Sequence, residues 1–148
     1  MISLNLPTID LKLTREGNQV FVFDIFRKKK ILLTPEEWVR QHFAYYLTTH
    51  LNYPKSLMKL ESGLRYNKLA KRSDIVVYNR QSDPFILVEC KSYHQKLNQK
   101  VLDQVSLYNQ TLKAKYLAIS NGLQHYFFEI DFNRGDFRQL NQLPSCDI

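Results

Sequence analysis

The 148-residue sequence has no apolar run approaching the roughly 18 residues that would span a membrane, and no basic-then-apolar leader opens it. A soluble, cytoplasmic product with no membrane partner is therefore expected. No Gly-x-x-x-x-Gly-Lys-Ser/Thr phosphate loop occurs either, so any ATP-driven step would belong to a partner. Cysteine is scarce: Cys90 and Cys146 are the only two, nothing else marks secretion, and both are expected to be reduced. The four histidines, His42, His50, His94 and His125, show neither metal-ligand nor triad spacing. Cys–His and Ser–His mechanisms thus have no supporting pattern.

What is present is material for a core. The chain is 44% hydrophobic and 13% aromatic, which excludes disorder as the main reading. Its 21 Lys+Arg against 14 Asp+Glu leave a charge of +7, which favours a polyanionic partner such as nucleic acid. Length and the absence of repeats or linkers point to a single domain over residues 1–148: an N-terminal β-hairpin at 9–26, a core at about 34–131, and a polar tail at 132–148.

The hairpin is read from apolar segments 9–13 and 20–26 around Arg15-Glu16-Gly17-Asn18. The tetrad Arg27-Lys28-Lys29-Lys30 after it reads as a solvated loop or strand end. Thr34-Pro35-Glu36-Glu37 is a helix start: Thr34 can cap, Pro35 suits the first turn, and Glu37 completes a capping box. That helix should run to about His50 with Trp38, Val39, Phe43, Tyr46 and Leu47 as its apolar stripe. Strands are expected at 57–66, 75–78 and 85–91, then a helix at 97–112, strands at 116–119 and 126–130, and at most a short edge strand in the tail. The helix between 85–91 and 116–119 allows a parallel crossover, whereas the shorter connections before it suit antiparallel pairing. The fold class is α/β (α+β) with a central mixed sheet flanked by helices.

The chemistry concentrates at the end of the strand at 85–91. Alternation along a strand puts Glu89 and Lys91 on one face and Cys90 on the other. Alone, the Glu-x-Lys triplet reads as an ion pair. Asp74 changes that reading, because antiparallel pairing across the loop at 79–84 brings the start of one strand beside the end of the next. Two carboxylates placed so close repel unless a cation or a proton joins them. A hard divalent ion held by carboxylates, a backbone carbonyl and water suits the set. Gln104 and Tyr108, four residues apart, share one helix face with Val101 and Val105. The bland alternative for them is a rim Gln and a core Tyr.

Asp74, Glu89-Cys90-Lys91 and Gln104/Tyr108 in the following helix resemble the PD-(D/E)xK nuclease superfamily, including the Gln-x-x-x-Tyr helix of its RecB-like branch. The segments at 34–41, 73–78, 88–91 and 120–122 resemble the N-terminal nuclease domain of type I restriction enzyme R subunits, over about residues 23–131. Ser73 stands where the superfamily's name has proline. The resemblance implies a restriction-endonuclease-like αβββαβ core and a metal-dependent deoxyribonuclease acting on DNA with Mg²⁺, or Mn²⁺ as a substitute. Asp74, Glu89 and the Cys90 carbonyl would bind the metal, and Lys91 would position the attacking water and stabilise charge on the phosphate. Gln104 and Tyr108 would support the lysine or the DNA, and Glu37 would be the auxiliary helix acid, with Glu36 and Glu61 as alternatives. It also implies restriction-modification or motor subunits as partners. A non-catalytic module that keeps the fold and holds nucleic acid or a partner is the rival reading.

Overall fold

The computed structural model describes residues 1–61 and 74–147. Three strands come first, β1 (Leu13–Glu16), β2 (Gln19–Asp24) and β3 (Lys29–Leu32), and they form a small antiparallel sheet in that order. The expected hairpin is therefore a meander. Lys29 and Lys30, expected in a loop or at a strand end, begin its third strand, because Lys28 takes a left-handed conformation (φ 57°) and reverses the chain.

Helix α1 (Pro35–Thr49) starts as its sequence dictates, with Thr34 Oγ1 accepting from the Glu37 N–H at 3.0 Å. After Pro54 a single 3₁₀ turn (Lys55–Leu57) leads to β4 (Met58–Leu60). The strand expected over 57–66 thus begins one residue later, and residues 62–66 lie outside the described residues, as do Lys68, Lys71, Arg72 and Ser73. β5 (Ile75–Tyr78), β6 (Pro84–Cys90), α2 (Gln99–Leu112), β7 (Tyr116–Ser120), β8 (His125–Asp131) and β9 (Asp136–Leu140) follow. From α1 to β7 the order is αβββαβ.

The six strands β4 to β9 lie side by side in sequence order. Only β6 and β7 run parallel, and α2 is their crossover. The helices cover opposite faces. Val39, Phe43 and Leu47 of α1 belong to the cluster containing Ile75, Val77, Ile86 and Val88. Val101 and Val105 of α2 pack with Val76, Leu87, Leu117 and Ile119. The alternation along β5 and β6 is what divides the apolar residues between the two cores. No described helix is long and apolar enough to cross a membrane.

Three asparagine side chains hold the connections, Asn109 and Asn121 buried and Asn98 exposed. Asn98 caps α2 by accepting from the Val101 N–H at 3.1 Å. Asn109 exchanges two hydrogen bonds with the backbone of Ala114, at 2.9 and 3.0 Å, and so fixes the turn from α2 into β7. At the other end of β7, Asn121 Oδ1 accepts from the N–H groups of Leu123 and Gln124, and Gly122 takes φ +85°. A side chain at Gly122 would collide with Leu4 of the N-terminal strap.

Candidate active site

Strand register assembles the site. Leu60 faces Ile75 and Ile75 faces Val88, so the next rung carries Glu61, Asp74 and Glu89 across three adjacent strands. The Glu61 N–H donates to the Asp74 carbonyl at 3.0 Å, which continues the β4–β5 ladder to that rung. Asp74 and Glu89 are both buried, at 6% exposure, and Lys91 follows just beyond the end of β6.

Each functional group has defined partners. Asp74 Oδ2 accepts from the Cys90 N–H at 2.8 Å, and its Oδ1 accepts from Arg40 Nη2 at 2.6 Å. The same Nη2 lies 2.9 Å from Glu36 and 3.1 Å from Glu61. Oxygens of Glu36, Glu61 and Asp74 all fall within 4.8 Å of one another, the spacing of a carboxylate metal cluster. Lys91 Nζ is 3.1 Å from Glu89. Burial lowers the Lys91 pKa, but the fields of Glu89, Asp74 and Glu36 outweigh it and hold the ammonium above its ordinary value. Burial and the nearby Asp74 charge push Glu36 upward despite Arg40.

Arg40 is the residue the sequence reading missed. It sits on α1 at 4% exposure, and its charge persists because Asp74 and Glu37 outweigh the burial that opposes it. Glu37, expected as the auxiliary acid, is drawn the other way. Its carboxylate accepts from Arg27 at 2.5 Å, Arg40 at 2.5 Å and Gln41 at 3.0 Å. Neighbouring helix positions differ by about 100° in direction, so only one of the adjacent acids can face Asp74, and it is Glu36. Glu61, the other alternative, lies in the same group.

Gln104 is exposed at the edge of the apolar stripe, the rim position of its bland alternative, and not on the stripe itself. The buried line of α2 runs through Val101, Val105 and Asn109, and Gln104 falls beside it. Tyr108 is half-buried against the α2 core. Burial raises the Cys90 thiol pKa well above its usual value, so Cys90 offers its backbone and not a thiolate. Burial lowers His42 and His125, which favours their neutral forms. A 310 Å³ cavity between α2 and the β8–β9 edge is lined by Leu102, Phe128 and Phe137 and by none of the candidate residues.

Chemically, six carboxylates (Asp24, Glu36, Glu37, Glu61, Asp74 and Glu89) gather around three cations, Arg27, Arg40 and Lys91. The described residues of the cluster therefore carry an excess of acid. Hard oxygen donors with surplus negative charge fit a divalent cation such as Mg²⁺, although the guanidinium of Arg40 stands among three of them. Glu36, Glu61 and Lys91 are the more open members, with side chains 43%, 21% and 20% exposed, and they mark the side from which a substrate can approach.

The sequence model of the type I restriction enzyme R protein N terminus (HSDR_N) matches residues 35–144. Among solved structures, a fragment assigned to the HsdR subunit of a type I restriction enzyme from Vibrio vulnificus YJ016 is similar at 24% identity and a TM-score of 0.39. The match covers 60% of this chain and 16% of that one. None of the curated proteins matches the sequence.

Proposed function

Because this chain belongs to the family of type I restriction enzyme R protein N termini, we propose that it is a Mg²⁺-dependent nuclease domain that hydrolyses phosphodiester bonds of DNA. The observation carrying this reading is the rung Glu61, Asp74, Glu89 with Lys91 beside it and Glu36 facing it from α1. Asp74, Glu36 and Glu61 would hold the metal, with Glu89 and the Cys90 carbonyl as neighbouring oxygen donors. A bound divalent ion supplies Lewis-acid stabilisation of the phosphate and lowers the pKa of water.

The chain's own residues do the rest. Lys91 keeps its proton at Nζ and places a positive charge where negative charge develops on the phosphate oxygens. Glu89 orients Lys91 through their 3.1 Å contact. The Cys90 N–H fixes the direction of the Asp74 carboxylate. A partly exposed Lys91 remains reachable while Asp74 stays shielded from bulk water, which strengthens each of these interactions.

Incubation of the purified chain with plasmid, linear and single-stranded DNA plus Mg²⁺ or Mn²⁺ tests the proposal. Cleavage is expected, and Asp74→Ala and Lys91→Ala should abolish it while leaving the circular dichroism unchanged. Absence of cleavage on every DNA, or cleavage undiminished in both variants, would sink it. Arg40 supports a second reading, because an internal cation already neutralises part of the cluster: a module that binds nucleic acid or restriction-modification subunits without cutting. That reading expects salt-sensitive, metal-independent binding and no hydrolysis.

A further inference from the structure

Apart from Asp24 and Arg27, the β1–β3 sheet and its basic turn take no part in the chemistry above, and they precede residues 35–144 that the family match covers. Their two faces differ sharply. Val22 and Asp24 on the inner face are fully buried. On the outer face Phe23 is 43% and Leu32 41% exposed. Register sets Phe23 opposite Lys30, with its N–H donating to the Lys12 carbonyl, and sets Phe21 between Thr14 and Leu32. Lys30 Nζ lies over the Phe21 ring, 5.1 Å from its centre. Two aromatic rings thus stand on successive same-face positions of β2, about 7 Å apart along the strand, with lysines on either side.

The charge around this face is one-sided. Register puts Lys12 and Lys30 on this face and Lys28 stands exposed at its end, while Glu16 on the same face pairs with Lys30; Arg15 and Lys29, opposite Val20 and Asp24, belong to the other face. A second copy of a chain carrying +7 would be repelled from such a face. Lysines alone would serve a duplex, whose base faces are stacked away. An exposed ring such as Phe23 between lysines, beside the half-buried Phe21, gains a use only when bases are unstacked. The turn is also fixed in place, because Arg27 is buried and donates to Glu37 at 2.5 Å and to the Glu61 carbonyl at 2.8 Å. Its neighbour Lys28 therefore keeps a set position relative to the carboxylate cluster.

We propose that the outer face of the β1–β3 sheet docks single-stranded nucleic acid, with Phe23 stacking on a base and Lys12 and Lys28 holding phosphates. This surface goes beyond the catalytic reading and requires no metal.

Fluorescence anisotropy of a labelled oligothymidylate with the full chain in EDTA tests it. Binding should weaken steeply with salt and exceed binding to a duplex of the same length. Phe23→Ala should weaken it at least five-fold, since a base–aromatic stack is worth about 1–3 kcal/mol. Lys12→Ala with Lys28→Ala should reduce the slope of log K against log salt by about 1.4, or about 0.7 for each lost contact. Both substitutions are at exposed positions, and circular dichroism checks that the fold is kept. Equal affinity for duplex, unchanged binding in both variants, or binding to anionic vesicles in place of the oligonucleotide would overturn the proposal. Cleavage that fails while this binding persists would overturn the catalytic reading alone.

Discussion

Arg40 does for Glu36, Glu61 and Asp74 what a bound cation would do, and its removal should be felt in two ways. Arg40→Met leaves Glu37 and Asp74 buried without their shared guanidinium. Breaking a buried pair from one side costs about 3–5 kcal/mol, which urea denaturation would register. Mg²⁺ or Mn²⁺ should then raise the melting temperature of the variant more than that of the parent, because the ion enters the position the guanidinium left. An equal rise in both proteins would show that Arg40 and the metal do not share a position. Glu36 gives a pH signature. Its folded pKa is raised above the ordinary 4.5, so the stability it contributes is fully present below 4.5 and is lost as pH rises through the folded value. Glu36→Gln mimics the protonated acid. It should stabilise the metal-free protein at neutral pH, with the difference vanishing below about pH 4.5 in thermal melts.

At the scale of elements, α2 shows why spacing locates a helix better than it assigns its residues. Asn109 looks like a surface residue in the sequence, yet it is buried and clasps Ala114. Asn109→Leu should cost about 2–4 kcal/mol in chemical denaturation, because it leaves a buried N–H and C=O unpaired. Gln104→Ala on the exposed side should change stability little. The positions of α1, β5, β6, β7 and β8 were legible because their apolar periods are unbroken. β3 was not, because its first two residues are lysines and the reversal before it rests on Lys28, a residue type with no turn signature. The candidate site divides in the same way. Asp74, Glu89 and Lys91 could be read from alternation and antiparallel pairing. Arg40 could not, since an arginine beside an apolar stripe reads as solvated until the acids from β4 and β5 are placed around it. The capping box points the Glu37 carboxylate back at Thr34, whereas it turns to Arg27, Arg40 and Gln41. That Glu36 is the acid facing Asp74 is visible only once the β4 and β5 acids are placed.

For the molecule as a whole, the question is what makes two separate sheets behave as one body. β1–β3 share no ladder with β4–β9, and Arg27 is a principal tie between them. It pairs with Asp24 of β2, donates to Glu37 of α1 and reaches the Glu61 carbonyl beyond β4. Phe26, packed edge-on against Tyr45 at 5.6 Å, supports the same junction. Asp24 and Glu37 are nearly inaccessible, so losing Arg27 strands two buried carboxylates at once. Arg27→Ala should therefore do more than lower global stability: it should uncouple the small sheet. Native-state hydrogen exchange reads this directly. In the parent, the amides of Phe21 and Val22 should open with the same free energy as those of Val76 and Leu87, as one cooperative unit. In Arg27→Ala the first pair should lose protection at denaturant concentrations where the second pair keeps it. If both pairs lose protection together, the sheets are coupled through the apolar contacts of α1, and the arginine acts only on the total.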